Sequence, residues 1–382
     1  MSPPILVPGV GPSAPQIAFV GEAPGANEER LGLPFVGASG RFLDLMCQSA
    51  GICRRECYVT NVSKRRPPGN DFRRAFYTDF HSRTPSQRTP ELERFIAELQ
   101  DELRGVKPRV IVALGEEALR ALTGKRGITK WRGSILDTPL GRVVPTFHPA
   151  SVLRMYIQRR IVEHDLRRAR SEAKTLAPLP THDFTISPTF DQVIDFLSGI
   201  TPPTKVSFDI ETLGERVRCL GIATSARRAM CIPFVGCRRS GGLFPTATGT
   251  TIINLSDDLA FGSYWVSEGE EHEILKECDR VLGDPAIPLI AQNFPFDATL
   301  LVKEFGIVCR GLWMDTMVAQ HCCYCELPKG LDFLCSMYTR VPYYSDYSAS
   351  SDAETWTYNC YDCAVTFECA LALEREMKEL EI

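Results

Sequence analysis

The sequence predicts an α/β protein with two domains, the first containing a largely parallel sheet and the second a mixed sheet. The chain has 382 residues, a length that favours two domains over one. In the first half, short and uniformly apolar runs alternate with helical patterns, as in parallel sheets that are covered on both faces. In the second half, three strand-like runs follow one another directly before helices appear, which favours a mixed sheet.

The first domain is expected at residues 1–172, where apolar runs of strand length alternate with amphipathic helical patterns. The expected strands are QIAFVG, CYVTNVSK, PRVIVALG and GRVVPTFHPA, the last of which runs into a loop. The expected helices are ASGRFLDLMCQSAG, ELERFIAELQDELRGV, EEALRALTG and RRIVEHDLRRAR. This alternation continues through the whole domain.

A linker is expected at residues 173–188, where three prolines interrupt the helical pattern. The second domain then covers residues 189–382. Its expected strands are KVSFDIE, RCLGIATS, AMCIPF and LIAQ, and its expected helices are FDQVIDFLSGI, FPFDATLLVKEFG and a final helix near 352–380. A polar stretch rich in glycine and threonine lies between them, around residues 236–268.

Cysteine usage and charge indicate the compartment and the kind of partner. The chain has fifteen cysteines and no signal peptide in its opening MSPPILVPGVGPSAP. We therefore expect free thiols in a reducing, cytoplasmic compartment, which is the host cytoplasm if the protein is viral. No apolar run is long enough to span a membrane, so no membrane partner is expected. Residues 1–170 hold 27 Lys and Arg against 17 Asp and Glu, which favours a polyanionic partner, unless the two surfaces simply differ in charge.

Four carboxylates in the second domain predict a metal site. Asp209 and Glu211 lie two residues apart on an apolar strand, so their side chains share one face. Neighbouring carboxylates at a partly buried place need a cation between them. Asp297 falls early in a helix that Asn293 is placed to cap, and Asp362 lies on the final helix. A ligand set made only of oxygen favours Mg²⁺ or Mn²⁺ over zinc.

The motifs DIE, QNFPFD and YNCYD, in this order, resemble those of DEDD-superfamily 3′→5′ exonucleases, above all the proofreading domain of family A DNA polymerases. The resemblance implies a ribonuclease H-like α/β domain with two Mg²⁺ or Mn²⁺ ions. It implies that Asp209 bridges both ions and that Glu211 and Asp362 complete the site of one. It further implies that Asp297 holds the second ion through waters, and that Tyr358 orients the attacking water.

Other polar residues of the second domain receive secondary expectations. The exonuclease resemblance also places Asn293 among the substrate-binding residues. The segment HCCYC (321–325) and the pair Cys360 and Cys363 look like fragments of a metal site. Because Cys360 and Cys363 lie within an expected helix, where no knuckle turn forms, we expect buried free thiols rather than a zinc site.

Three motifs of the first domain predict a base-binding pocket. GEAPGANEERLGLPFVGASG (21–40) is a turn rich in glycine, which lets a ligand approach the backbone closely. It matches neither a dinucleotide-binding glycine motif nor a P-loop. Together with YVTNVSKRRPPGN (58–70) and PTFHPASVLR (145–154), it resembles family 4 uracil-DNA glycosylases. The resemblance implies an α/β glycosylase-like domain that extrudes a nucleotide from the DNA stack.

The resemblance implies roles for individual residues. Phe35 stacks on the extruded base, the Asn61 amide matches O4 and N3–H of uracil, and His148 donates to O2 as the bond breaks. Glu22 positions water or stabilises the developing sugar cation. The remaining residues expected to contact or support the substrate are Ala23, Glu28, Lys64, Arg65, Arg66, Leu153 and Arg154. Of these, Leu153 and Arg154 enter the groove, while Lys64, Arg65 and Arg66 either brace the loop or bind DNA.

The sequence departs from the family 4 pattern at its iron–sulfur cluster. That family usually holds a cluster with four cysteines, but residues 1–20 contain none, and Arg65 stands where one is expected. We therefore expect no iron–sulfur cluster. A related group captures its abasic product through a histidine, and Pro68 stands at that position, so covalent capture is not expected.

These observations predict an enzyme of DNA repair or replication that combines excision of uracil, or of a related base such as 5-hydroxymethyluracil, with metal-dependent 3′→5′ proofreading. Its expected partners are DNA and a family A polymerase, present either as a separate chain or as a missing C-terminal part. A compact replication system such as that of a bacteriophage suits this architecture. One alternative keeps the exonuclease and makes the first domain a non-catalytic, base-reading module, and another makes both domains polymerase-recruiting modules.

Overall fold

The computed structural model describes residues 5–83, 86–239, 253–256, 259–344 and 351–382. The chain forms two compact units, Met1–Leu179 and Pro180–Ile382. Both units combine helices with a sheet, so the expected α/β class is confirmed. Within the described residues, no helix has the length and apolar character needed to cross a bilayer.

Over residues 5–83 and 86–179, the first unit contains a five-stranded sheet in the order β2-β1-β3-β5-β4, in which only the edge strand β4 runs antiparallel. Its strands are β1 (Ile17–Gly21), β2 (Tyr58–Asn61), β3 (Val110–Leu114), β4 (Leu136–Thr138) and β5 (Gly141–Thr146). Its helices are α1 (Ala26–Leu31), α2 (Ala38–Ser49), α3 (Phe72–Phe76), α4 (Pro90–Val106), α5 (Glu116–Thr123), α6 (Ile128–Trp131), α7 (Pro149–Val152) and α8 (Gln158–Thr175). Every residue of β1 and β3 is buried, because helices cover both faces of a parallel sheet.

The parallel strands place the three expected catalytic residues at one edge of this sheet. Glu22 follows β1, Asn61 ends β2 in register with Gly21, and His148 comes two residues after β5. Ligands of open α/β sheets bind in the crevice outside the carboxyl ends of the strands. The fold therefore gathers these residues where a ligand site is expected.

The second unit contains a mixed six-stranded sheet in the order β14-β13-β7-β8-β9-β6 and a three-stranded antiparallel sheet in the order β10-β12-β11. Its strands are β6 (Asp183–Thr185), β7 (Val206–Leu213), β8 (Arg216–Ala223), β9 (Arg228–Pro233), β10 (Val235–Arg239), β11 (Ile253–Ser256), β12 (Leu259–Ser263), β13 (Leu289–Ala291) and β14 (Leu312–Asp315). Its helices are α9 (Phe190–Ser198), α10 (Glu268–Gly283), α11 (Phe294–Phe305), α12 (Thr316–Cys323), α13 (Leu331–Tyr338) and α14 (Asp352–Glu379). The expected mixed sheet is confirmed by the antiparallel β7–β8–β9 meander and its parallel neighbours.

The expected linker at 173–188 differs from the observed connection. Helix α8 continues to Thr175, and β6 lies inside the expected linker, where it pairs with β9 as an edge strand. Strands β10, β11 and β12 occupy parts of the polar stretch 236–268, for which no strands were expected, and residues 240–252 and 257–258 lie outside the described residues.

Strand β7 presents two chemically different faces. Phe208 and Ile210 are buried in the hydrophobic core formed with α9, α10 and α11. Ser207 points to the other side, where its hydroxyl donates to the carbonyl of Cys363 on α14 at 2.6 Å. Because side chains alternate along a strand, Asp209 and Glu211 share this second face with Ser207 and lie toward α14.

Candidate functional sites

A pocket of about 340 Å³ lies at the carboxyl edge of the first sheet. We call it the base pocket. Its lining includes these residues that were expected from the sequence: Glu22, Ala23, Glu28, Phe35, Asn61, His148 and Arg154. The volume is in the range of small-molecule sites. The fold therefore brings together residues from three motifs that are far apart in the chain.

Close packing fixes Phe35 beside Asn61. A Cβ atom on Gly21 would lie 2.4 Å from Cζ of Phe35 and 2.5 Å from Oδ1 of Asn61, so glycine is required there. Phe35 adopts a left-handed backbone with φ of 53°, which costs about 1–3 kcal/mol for such a residue. Glu28 offsets this cost, because its Oε1 accepts the N–H groups of Val36 at 3.0 Å and Gly37 at 2.7 Å.

Asn61 offers an unsatisfied acceptor. Its side chain lines the base pocket and is only 2% exposed. Among the residues that the structure describes, none provides a hydrogen-bond partner for the buried Oδ1 atom. Leaving a buried acceptor unpaired costs about 1–3 kcal/mol. A ligand N–H group that reached this oxygen would remove the penalty.

His148 is held as a neutral donor. It caps α7, and its Nδ1 accepts the N–H of Ala150 at 3.1 Å. Since Nδ1 is an acceptor, the proton of the neutral ring resides on Nε2. Burial, together with the Arg154 cation, lowers the pKa of His148 to about 4. At neutral pH the ring therefore carries no charge and presents Nε2–H as a donor.

Glu22 has an unusually basic carboxylate. Burial raises the pKa of Glu22 to about 7, and the negative charges of Glu117 and Asp71 add to the rise. A carboxyl group with this pKa can exchange a proton near neutral pH, as general acid–base catalysis requires.

Three carboxylates of the second unit form a compact group, which we call the carboxylate cluster. One ligand oxygen each of Asp209, Glu211 and Asp362 lies within 4.8 Å of the other two. Burial raises the pKa of Glu211 and of Asp362 to about 7, while burial and the neighbouring carboxylates raise the pKa of Asp209 well above its usual value. The all-oxygen donors and their mutual repulsion fit a hard divalent cation.

Asp297 lies beside the carboxylate cluster but outside the group of three. It is buried in the first turn of α11, and its Oδ1 accepts the N–H of Ile210 at 3.0 Å. The expected cap by the Asn293 side chain is not observed, because Asn293 has a left-handed backbone and makes no such bond. Instead Asp315 accepts the N–H groups of Asn293 and the following residue at 3.2 and 2.9 Å.

Two residues that were not expected from the sequence form hydrogen bonds with the carboxylate cluster. Asn359 donates through Nδ2 to Oδ2 of Asp209 at 3.0 Å and to its carbonyl at 3.1 Å. Tyr344 donates to Oδ1 of Asp362 at 2.6 Å, and burial together with the nearby Asp362 carboxylate raises the pKa of the Tyr358 hydroxyl. Asn359 lies three residues before Asp362 on the same helical face, which is a signal that the sequence offered. Nothing in the local sequence marks Tyr344.

The two units match two different families. Residues 8–170 match the family described as the uracil DNA glycosylase superfamily, and residues 247–378 match the family described as 3′-5′ exonuclease. The type-4 uracil-DNA glycosylase of Thermotoga maritima is 40% identical over 175 residues, covering 44% of this chain and 83% of that protein. The enzyme of the same description from Sulfurisphaera tokodaii is 35% identical over 182 residues, covering 44% and 75%.

The chain belongs to the uracil-DNA glycosylase superfamily. With its exonuclease match it is a hydrolase acting on DNA, and the two units support a combined DNA-processing role. The exonuclease match includes Asp297, Tyr358 and Asp362 and begins after Asp209 and Glu211. Among solved structures, Brucella melitensis NrnC is similar at 17% identity and a TM-score of 0.35, covering 53% of this chain and 84% of that one.

Two basic residues that follow β2 in the first unit, which we call the glycosylase unit after its family match, form bonds within the protein. Lys64 pairs with Glu102 and donates to the carbonyl of Asn61 at 3.1 Å. Arg65 makes two bonds of 2.6 Å to Glu91. Of the two roles expected for Lys64 and Arg65, the observed contacts favour bracing over DNA contact.

The other expected substrate contacts of the glycosylase unit have different surroundings. Arg66 is half-exposed and lies 3.4 Å from Glu29. Leu153 is 49% exposed at the end of α7, and the adjacent Arg154 is exposed and lines the base pocket. Glu28 is committed to the loop that holds Phe35, so its carboxylate supports the pocket rather than the reacting atoms.

An iron–sulfur cluster does not fit the residues of the glycosylase unit. Such clusters take four cysteine thiolates, whereas this unit contains three cysteines, Cys47, Cys53 and Cys57. Burial raises the pKa of Cys47 and of Cys57 to about 12, which disfavours the thiolate form that binds metal. In the exonuclease-like unit, Cys360 and Cys363 are buried in α14.

Proposed function

We propose that the first unit hydrolyses the N-glycosidic bond of uracil in DNA. The observation that carries this proposal is the pairing, within one pocket, of an unpartnered Asn61 acceptor with a neutral His148 that presents Nε2–H. Uracil offers a matching N–H donor and carbonyl acceptors on its edge. The type-4 glycosylase relatives support the same substrate.

Different residues of the base pocket recognise the uracil base and assist cleavage of its bond to the sugar. Phe35 stacks on the extruded base, and Asn61 accepts N3–H through Oδ1 while its Nδ2 donates to O4. His148 donates to O2, where negative charge develops as the bond breaks. Donors fixed in advance at such a position lower the barrier, because they need no reorganisation during the reaction.

The bond changes balance without a cofactor. The C1′–N1 bond breaks, its electron pair leaves with uracil, and water adds to C1′. Glu22 in its ionised form faces the positive charge developing on the sugar and accepts the proton released by that water. This proton then passes through solvent to the departed uracil anion, which regenerates the ionised carboxylate. Leu153 fills the space vacated in the stack, and Arg154 contacts a phosphate.

We propose that the second unit removes nucleotides from DNA 3′ ends with divalent metal, either Mg²⁺ or Mn²⁺. Asp209, Glu211 and Asp362 would hold one ion, and Asp297 would help to hold a second. A divalent cation there supplies positive charge to the scissile phosphodiester. Tyr358 orients the attacking water through its hydroxyl, which lies close to Asp362.

We further propose that the two compact units, whose boundary in the chain lies near residue 179, are the two functional domains.

An oligonucleotide with one internal uracil and a 5′ label tests both activities. In EDTA, alkali treatment should reveal a break at the uracil while the 3′ end stays intact. With Mg²⁺, a uracil-free strand should shorten from its 3′ end. A protein that binds the uracil strand in EDTA but leaves the base in place contradicts the glycosylase proposal and favours a base-reading module.

A further inference from the structure

A run of exposed apolar side chains lies beside the base pocket of the glycosylase unit. Residues 153–157 are all exposed, and we call them the apolar loop. Four of the five are large and apolar, with exposed fractions of 49%, 56%, 62% and 43% for Leu153, Met155, Tyr156 and Ile157. In the rest of the chain that the structure describes, exposed large apolar side chains occur along the sequence singly or in pairs. A continuous exposed apolar surface of this kind marks a binding site.

The apolar loop begins in the wall of the base pocket and has a defined shape. Ser151 and Arg154 line that pocket. The N–H of Met155 donates to the carbonyl of Ser151 at 2.9 Å, and the N–H of Gln158 donates to the carbonyl of Met155 at 3.0 Å. The side chains of Ser151 and Gln158 are joined by a bond of 3.1 Å across the base of the loop. These bonds order the loop before any ligand binds.

Tyr156 is held at its hydroxyl end while most of its side chain stays exposed. The hydroxyl accepts a hydrogen bond from Nη1 of Arg159 at 2.5 Å, and Arg159 donates to Glu163 at 2.7 Å. The centroid of the Phe42 ring lies 6.3 Å from that of Tyr156. An aromatic side chain has only two χ angles to order, and holding it in advance reduces the entropy that binding costs. Tyr156 therefore offers a pre-organised aromatic surface.

The charges around the apolar loop favour a nucleic acid as its ligand. Residues 150–162 contain three arginines, Arg154, Arg159 and Arg160, and no acidic residue. The next residue, Glu163, is buried and bonded to Arg159. Apolar side chains flanked by cations suit DNA, where apolar base faces lie between anionic backbones. A second copy of this chain is disfavoured, because a two-fold contact would bring the same arginines against each other.

We propose that Tyr156 stacks on the base opposite the extruded nucleotide, an inference that rests on the proposed uracil excision. Extrusion leaves the opposite base without its pairing partner and uncovers its faces. Tyr156 is not among the residues that line the base pocket, so its ring is available to a base other than the uracil. Leu153 fills the vacated position, and Tyr156 follows three residues later in the same loop. This role makes double-stranded DNA the preferred substrate of the glycosylase unit.

The test uses the full chain in EDTA and two closed dumbbell duplexes, which have no free 3′ end for the second unit. The first duplex carries a tetrahydrofuran abasic analogue opposite adenine, so that an unpaired base is present without uracil. The second duplex carries the analogue at both positions, so that the unpaired base is absent. Fluorescence anisotropy gives the affinity of each duplex for the wild-type protein, Tyr156→Ser, Tyr156→Phe and the control Leu176→Ser. Leu176 is 39% exposed and follows the far end of α8.

We expect loss of the adenine to weaken wild-type binding by at least about fivefold, the lower end of base–aromatic stacking. Tyr156→Ser should bind the two duplexes equally, whereas Tyr156→Phe and Leu176→Ser should keep the wild-type ratio of affinities. This ratio does not depend on the active fraction of a preparation, so a change in stability leaves it unaltered. A Tyr156→Ser protein that keeps the wild-type ratio overturns the proposal. So does a wild-type dimer, seen by sedimentation, that Tyr156→Ser dissociates without changing the ratio.

Excision from a dumbbell with one uracil, read by alkali, is measured in parallel on the wild-type protein. Absence of excision together with a ratio that depends on Tyr156 contradicts only the proposed excision. Normal excision together with a ratio that does not depend on Tyr156 contradicts only the stacking role.

Discussion

The pH dependence of uracil excision should follow the ionisation of Glu22, and a neighbouring charge should tune it. Because the pKa of Glu22 is raised to about 7, about one tenth of the enzyme holds an ionised Glu22 at pH 6 and about nine tenths at pH 8. The excision rate should therefore rise about tenfold between these pH values and then level off. His148, with a pKa of about 4, stays neutral across this range and adds no second inflection.

Replacing Glu117 by Gln should move that inflection to lower pH. Glu117 is a negative charge that raises the pKa of Glu22, and its removal makes the ionised form of Glu22 easier to reach. The bond from the Tyr77 hydroxyl to residue 117 can persist, because a glutamine oxygen also accepts.

The assay is single-turnover excision in EDTA, from pH 5.5 to 8.5, with alkali-labile breaks counted at each time point. Glu22→Gln serves as the reference and should be slow with a flat profile. The interpretation is refuted if Glu22→Gln retains the wild-type inflection, or if Glu117→Gln leaves it in place or moves it to higher pH.

Three further predictions concern the proposed exonuclease activity of the second unit and the stability of the first unit. Asp209→Asn should lower the rate of Mg²⁺-dependent shortening of a labelled strand by at least about 100-fold. The control Asp191→Asn, at an exposed position on α9, should leave this rate unchanged. Equal rates for the two variants would contradict the metal site. Asn359→Ala should lower kcat of the same reaction with little change in KM, since Asn359 bonds to Asp209 rather than to substrate; a pure KM effect would contradict this. Arg65→Ala should lower the free energy of unfolding of the first unit in urea by about 1.5–3 kcal/mol, because it removes charged hydrogen bonds to Glu91. The control Arg94→Ala, at an exposed position, should lower it by under about 0.5 kcal/mol.

Much of the fold could be predicted because several of its strands are rich in apolar residues and most of its long helices are amphipathic. Strands β1 and β3 are short continuous apolar runs, and β7 alternates apolar with polar residues, both of which are patterns typical of strands. The edge strand β6 escaped prediction because it is three residues long and gains its order from pairing with β9 rather than from its own pattern. The strands β10, β11 and β12 escaped prediction because they are only four or five residues long and lie in or beside a stretch, around residues 236–268, that is rich in glycine and threonine.

Some features of the two candidate sites could be predicted from the sequence, and others could not. Residues within short motifs, such as Asn61 and His148, are indeed brought into one pocket. Contacts that depend on side-chain direction were not predictable, and Arg65 shows why, since its charge alone does not reveal that Glu91 lies within reach. Tyr344 reaches Asp362 across 18 residues, a distance at which sequence spacing carries no geometric information. The polymerase partner, the cytoplasmic location and the bacteriophage context stay predictions.

The carboxylate cluster also couples metal ions to the folding of the second unit. Glu211 and Asp362 have folded-state pKa values of about 7, above their ordinary values. Without a cation, the stability they contribute is fully present below pH 4 and is lost as the pH rises through 7. A cation that binds only the folded state restores stability, by about 2.7 kcal/mol at a hundred times its dissociation constant. The melting temperature of the second unit should therefore rise with Mg²⁺ at pH 8 and hardly at all at pH 5, so that the metal acts as a folding ligand before any DNA is present.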